Sequence, residues 1–440
     1  MKKQSIIYLI VLILVFFSQS LCYEYNITKV SDWKSFNATS EDYKIAVSPV
    51  VAQSNSLTLQ LPDSKIVALV HGIKSKGSSQ LIQQIAILDF EGSVLYSAIN
   101  ENVSGRSSAA LSLTNVENEF IYVYTENAQI YFTFYDEKLN YKRGAQNKKL
   151  TTVGTYSQFY YPIISMGKDI MYITLMAQNQ QSQCIQVYVL DLSDTSTYTI
   201  SKTHSYTGYY NIKPFGYTIQ AYNDNSAIAH FYAVNNQNQD ILVQLQYKTP
   251  GILRQNYPKE IKKTIPVETQ YANWNWNSVL HQDNETSTFI TSNNSDQELM
   301  LYTFGKDGDE ICYEIIDISG YYGFNYYYGI HGNKGWIYLQ DTTNQQGYFA
   351  LFDPEICTLN LKKMTGTSIY QGSAGSFVDF QGEKILVFEY GNLVDVGKQK
   401  NVQGKIYRAG FLEVDEDVWA RLLGFQVFVG FLLVFSLVFW

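Results

Sequence analysis

Cysteine is scarce in this chain, with four in 440 residues. So few exclude a small disulfide scaffold, and a chain of this length needs none, because it can bury a large core. Arginine occurs only five times, and acidic side chains outnumber basic ones by 40 to 32. That excess argues against nucleic acid and against anionic lipid headgroups as partners. Helical periodicity is nearly missing, and long apolar runs occur only at the two ends. Catalytic signatures are missing as well: there is no G-x-S-x-G, no P-loop and no dinucleotide fingerprint. The five histidines, His71, His204, His230, His281 and His331, are scattered and show no metal-ligand spacing. DGDE, Asp307 to Glu310, reads as a solvated hairpin turn rather than a cation loop. A glycosidase would need two carboxylates facing one cleft, and Asp283 and Asp379 can be named for that only by position. No catalytic residue, metal site or cofactor is assigned.

The ends of the chain give an address. MKKQSIIYLIVLILVFFSQSLC, residues 1–22, has a basic start, a short apolar stretch and small residues after it, which is the pattern of a secretory signal peptide. Losing Lys2 and Lys3 with it leaves 40 acidic against 30 basic side chains, a net charge of −10. Residues 422–440, LLGFQVFVGFLLVFSLVFW, carry no charge. As a helix they extend about 28 Å, enough to cross a hydrocarbon core. Two readings stay open. One is a transmembrane helix with Trp419 and Trp440 at its interfaces. The other is a GPI-anchor signal, with Ala409-Gly410 as the attachment site and an acidic spacer, residues 414–421, before the apolar tail. Asn26, Asn37, Asn102, Asn284 and Asn293 each begin an N-x-S/T triplet, the acceptor for N-glycosylation in a secreted chain.

Between the ends a unit of about fifty residues recurs seven times: a short apolar run, a turn, a strand, a polar loop and a further strand. In FIYVYTENAQIYFTFYDEKLN, residues 120–140, the strands are apolar on both faces. Phe120, Tyr122 and Tyr124 point one way, and Ile121, Val123 and Thr125 the other. A sandwich sheet keeps one polar face, whereas a blade packed between two neighbours does not. A unit holding about four short strands also has the size of one propeller blade. Residues 23–413 are thus read as an all-β ectodomain, a β-propeller of seven blades; β-solenoid and stacked-sandwich readings are the rivals. The seventh unit runs out after its third strand, at Glu413, so a strand near Tyr25 to Val30 is expected to complete it. Cys312 in DEICYEI and Cys357 in PEICTLN occupy matching positions in adjacent units. Placed on two outer strands they are expected to lie too far apart to bridge.

The repeats resemble the β-propeller class but none of its named subclasses. There is no Trp-Asp series, no paired-glycine kelch signature and no repeated acidic calcium loop. The abundance of Lys, Asn, Ile and Tyr resembles that of ciliate-type membrane-attached surface proteins, which implies a location rather than an activity.

Two segments recur at fixed places in the unit. The loop between its second and third strands is amide-rich, as in QNQQSQ at 178–183 and NNQNQD at 235–240. The segment entering its first strand is aromatic, and supplies Phe159, Tyr160, Tyr209, Tyr210, Trp274, Trp276, Tyr326 and Tyr327 as candidate ligand-binding residues. In a propeller both connections emerge on one end of the disc. Flat rings stack on sugars while amides bond hydroxyls, and the same residues suit protein interfaces. The function expected is extracellular, membrane-attached recognition of a glycan or surface protein. The alternatives are an accessory subunit of a membrane complex and a glycan-active hydrolase.

Overall fold

The computed structural model describes strands from Asn26 to Asp415 and many of the turns between them. Residues 1–25, 38–57, 262–276, 364–373, 391–405 and 416–440, with shorter stretches inside other connections, lie outside the described residues. The signal-peptide and apolar-tail readings fall there, as does the juxtamembrane spacer from residue 416 onward, while Val414 and Asp415 belong to the last strand of the chain. No helix among the described residues is long and apolar enough to cross a membrane.

The first two strands, β1 (Asn26–Val30) and β2 (Lys34–Asn37), join the last sheet of the chain. The first sheet is β3 (Thr58–Gln60), β4 (Ile66–Ile73), β5 (Leu81–Leu88) and β6 (Val94–Val103). The second is β7 (Ala109–Leu113), β8 (Glu119–Glu126) and β9 (Gln129–Asp136), with β10 (Tyr141–Lys142) and β11 (Lys148–Leu150) sharing the outer edge of β9. The third is β12 (Gln158–Met166), β13 (Ile170–Gln178), β14 (Gln183–Asp191) and β15 (Thr199–Tyr206). The fourth is β16 (Tyr217–Ala221), β17 (Ala227–Val234) and β18 (Asp240–Lys248), edged by β19 (Ile252–Leu253) and β20 (Lys259–Ile261). The fifth is β21 (Asn277–His281), β22 (Thr286–Asn293), β23 (Glu298–Gly305) and β24 (Glu310–Asp317). The sixth is β25 (Phe324–His331), β26 (Lys334–Asp341), β27 (Gln346–Phe352) and β28 (Lys362–Lys363). The last is β29 (Ala374–Phe380), β30 (Lys384–Tyr390) and β31 (Ile406–Asp415), completed by β1 and β2.

Every sheet is an antiparallel meander, and the first strand of each touches the first strand of the next. The series runs β3, β7, β12, β16, β21, β25 and β29, and β29 returns to β3. The fold is therefore an all-β propeller. Its last sheet joins the two ends of the described chain. Asn26 pairs with Asp415 and Val30 with Leu412, and farther along the same edge Lys34 pairs with Ala409 and Asn37 with Ile406. β31 thus runs two residues beyond Glu413, and Ala409 and Gly410 lie in its middle, opposite Phe388 and Val387 of β30.

In the second, third and fourth sheets, where side chains are described, second and third strands are buried along almost their whole length. In β8, Phe120 to Thr125 are all buried, and β13 and β17 repeat the pattern. The core is the set of gaps between sheets. One cluster joins Val123 and Phe132 of the second sheet to Ile173 and Tyr188 of the third, and another joins Tyr172 and Val187 of the third to Ile219 and Tyr247 of the fourth. Tyrosine does much of this filling. Tyr122, Tyr172, Tyr188, Tyr217, Tyr222, Tyr232 and Tyr247 are among the largest fully buried side chains. A buried phenol keeps a polar tip that wants a partner. Tyr172 donates to the Asn225 carbonyl at 2.7 Å, Tyr188 to Gln186 Oε1 at 2.6 Å, and Tyr122 to Gln83 Oε1. Burial pushes the Tyr172 and Tyr188 hydroxyls far above the ordinary phenol range.

The cysteine expectation was wrong: Cys312 and Cys357 form a disulfide, with Cα atoms 5.8 Å apart. Cys312 lies on the outer strand β24 as expected. Cys357 does not lie on an outer strand; it sits between β27 and β28, in a left-handed backbone conformation at φ 54°. That connection reaches back to the edge of the fifth sheet, where Cys357 is fully buried and approaches Thr303, the register partner of Cys312. The bond closes a 45-residue separation and staples neighbouring blades. Replacing both cysteines by serine is expected to cost about 2–4 kcal/mol in denaturant unfolding. An unchanged midpoint would show that the staple contributes nothing to stability.

Candidate functional site

An antiparallel meander sends its connections to alternate ends. Turns after first and third strands emerge on one end of the disc. Loops after second strands, and connections into the next sheet, emerge on the other. The two ends differ in chemistry.

On the first end, turns of neighbouring sheets are clasped together. Lys65, before β4, pairs with Glu137, after β9, at 2.6 Å. Asp224, between β16 and β17, pairs with Lys306, after β23. Asn225 sits at φ 65°, a conformation asparagine tolerates well, and its Oδ1 accepts from the Asp169 and Ile170 backbone N–H groups at 2.7 and 3.1 Å. Beneath it, Ser165 Oγ accepts from the Ala221 N–H at 2.8 Å. A side chain at Gly167 would collide with the Tyr222 carbonyl, at 2.8 Å from an added Cβ. Glycine is thus required where these two turns meet.

The strongest clasp is Arg143. The outer edge of the second sheet breaks between β10 and β11, where Arg143, Gly144 and Asn147 take φ values of 50°, 60° and 47°. The break turns the guanidinium inward. Its Nε donates to Glu119 Oε1 at 2.7 Å, and both side chains are almost wholly buried. Nη1 donates to the carbonyls of Leu192, Asp194 and Thr197 at 3.3, 2.7 and 2.8 Å, and Nη2 to Asn115 Oδ1 at 2.7 Å. Asn115 Nδ2 also donates to Leu192 O at 2.8 Å. One planar fork thereby holds the turn after β14 of the next sheet, a task that needs arginine rather than lysine.

The DGDE turn is a further clasp. Gly308, at φ 81°, donates its N–H to Gly305 O, while the Gly305 N–H donates to Asp309 O, both at 2.8 Å. Asp307, Asp309 and Glu310 are exposed, as a solvated hairpin requires. Gln244 and Gln246 of β18 donate to the carbonyls of Gly308 and Lys306 at 3.3 and 2.7 Å. Gln244 Nε2 also lies 3.0 Å from His230 Nε2. An amide nitrogen only donates, so that ring nitrogen accepts and His230 is neutral. Burial pushes the His230 pKa down to about 3. The unfolded chain protonates this imidazole near pH 6.5 while the folded chain refuses the proton, so its contribution is present above pH 6.5 and is lost as pH falls toward 3. Acidification from pH 7 to pH 5 is expected to cost roughly 2 kcal/mol through this group. His230→Gln is expected to flatten that dependence in urea melts; an equally steep dependence would assign it to other groups.

On the opposite end the described loops carry amides. Gln158, Gln180, Asn236 and Gln237 are exposed there. The aromatics divide. Phe159 was expected on the ligand face but is buried, in the cluster between the second and third sheets and edge-on to Tyr156. Strand alternation turns its ring into the inter-blade gap, so it cannot stack on a ligand. Tyr160 lies next along β12, opposite Met176, and Tyr326 and Tyr327 lie in β25, opposite Leu339 and Tyr338. Tyr209, Tyr210, Trp274 and Trp276 lie outside the described residues. Of the glycosylation triplets, Asn26 opens β1, Asn37 closes β2, Asn102 falls near the end of β6 and Asn293 closes β22. Asn284 lies outside the described residues.

No family model and no curated protein sequence matches the chain. Among solved structures, the chain is similar to the WD40 domain of Toxoplasma gondii coronin, at 8% identity and a TM-score of 0.43, over 88% of each chain. It is also similar to the phage phi92 endosialidase, at 10% identity and a TM-score of 0.43, over 88% of this chain and 70% of that one. A third, prolyl oligopeptidase B from Galerina marginata, is 11% identical with a TM-score of 0.41, over 86% and 53%.

Proposed function

We propose that the protein is a membrane-attached extracellular recognition module, which binds a glycan or another surface protein through the end of the propeller opposite the clasps. The observation that carries this reading is the asymmetry of the two ends. One is occupied by ion pairs and hydrogen bonds that hold turns of adjacent sheets. The other, among the described residues, exposes amide side chains in the loops after β13 and β17 and at the start of β12. Exposed amides on a rigid ring can bond several hydroxyls at once, and rings beside them supply apolar area at low entropy cost. The Cys312–Cys357 bond supports the secretory route, because such bonds persist in oxidising compartments.

A propeller cut at Ala409 or Gly410 would lose Phe411 to Glu413, which pair with β30, and Leu412 to Asp415, which pair with β1. That favours a retained span, residues 422–440, over a lipid anchor attached at that site.

The test is binding of the full chain, solubilised in detergent, to an array of surface glycans, beside Trp274→Ala/Trp276→Ala. The double variant is expected to lose at least tenfold in affinity while keeping its melting curve, a loss of about 1.4 kcal/mol or more. Undiminished binding by the folded variant would remove these rings from the site. Turnover of a bound glycan would move the hydrolase reading ahead. Absence of glycan binding, with specific crosslinking to a surface protein on intact cells, would identify the ligand as protein.

A further inference from the structure

We infer that the clasped end of the propeller faces the membrane and the amide-bearing end faces away from it. This rests on the membrane-attachment reading and adds an orientation to it.

The register of the last sheet carries the inference. β30 begins at Lys384, just after the turn that follows β29, and turns after first strands lie on the clasped end. Glu413 pairs with Lys384, and Tyr407 pairs with Tyr390 at the far end of β30. β31 therefore travels toward the clasped end and finishes there at Asp415. Asn26, the first residue of β1, pairs with Asp415, so both ends of the described chain emerge side by side on that end.

The spacer is too short to undo this. Seven residue steps separate Asp415 from Leu422, and fully extended they reach at most about 25 Å. An eight-residue strand such as β22 is about 27 Å long, which sets the thickness of the disc. A spacer run back along the rim would at best bring Leu422 level with the opposite face, with no length left to enter a bilayer beyond it. From the clasped end, the same seven steps reach the interface directly. The orientation also places Asn37 and Asn102, at the distal ends of the outermost strands β2 and β6, on the rim farthest from lipid, and Asn26, at the start of β1, on the membrane-facing end.

Energy transfer tests it. The full chain, in a Cys22→Ser background, is reconstituted into phosphatidylcholine vesicles that carry an acceptor on the lipid headgroup. A donor is attached at Lys138→Cys, in the exposed turn after β9 on the clasped end, or at Asn236→Cys, in the exposed loop after β17 on the other. Cys184 is buried and the remaining pair is oxidised, so the introduced thiol takes the label. The expected result is greater transfer from position 138 than from position 236. Equal transfer, or greater transfer from 236 in a chain that sediments with the vesicles, overturns the orientation alone. A chain that stays in the supernatant overturns the attachment reading, and the orientation with it.

Discussion

Removing residues 23–37 is expected to abolish cooperative unfolding of the whole propeller. The segment contains both strands that pair with the outer edge of β31, four residue pairs in β1 and four in β2. Each backbone hydrogen bond contributes about 1 kcal/mol net, so the direct loss is on the order of 5 kcal/mol or more. That is comparable to the entire stability of an ordinary domain, about 5–15 kcal/mol. The indirect loss is larger in kind. Without these strands, β31 becomes an open edge in the sheet that joins the two ends of the chain, and a long unpaired edge invites association. The expected observations are a broad, early thermal transition and aggregation, followed by circular dichroism and light scattering. A sharp transition at the full-length temperature would mean that the ring holds without its N-terminal strands.

Arg143→Ala is expected to have the second largest effect, about 3–5 kcal/mol of destabilisation. The variant leaves the Glu119 carboxylate buried without its cation and frees three carbonyls of the neighbouring turn from their shared donor. It also removes the guanidinium from the face of Phe134, where it lies 5.4 Å from the ring centroid. Arg143→Lys keeps the charge but replaces a five-donor fork with a point charge, so it is expected to recover only part of the loss. Arg143→Ala/Glu119→Gln, which removes the stranded charge, is expected to be more stable than the single alanine variant. Denaturant melts of the three proteins separate these cases. Midpoints equal to that of the unaltered chain for all three would show that this cluster does not tie the second sheet to the third.

Much of the fold was legible because it rests on repetition. The two-faced apolarity of Phe120 to Thr125 required a strand covered on both sides, and β8 is buried along that run. Asp307-Gly308 marked a hairpin, and glycine at φ 81° is what the turn uses. The shortfall after Glu413 pointed to a partner near the N-terminus, and β1 pairs there. The Cys312–Cys357 bond was hidden because equivalent positions in a repeat do not imply equivalent elements. Cys357 lies in a connection, and connections are where the units differ. Arg143 gave no signal at all: its task depends on a local left-handed break and on partners 24 to 54 residues away. Composition cannot separate a ring that stacks on a ligand from one that fills the gap between blades, and Phe159 belongs to the second kind. Tyrosine is abundant, 37 in the chain, and its largest described use is in that gap.

The most direct test of the closed ring is native-state amide hydrogen exchange on the full chain, read by mass spectrometry of peptides covering residues 26–37 and 406–415. Closure predicts that both peptides are protected to the same free energy as core strands such as β8 and β13, and that they lose protection together with them. Exchange of residues 26–37 within seconds, while β8 and β13 remain protected, would contradict it.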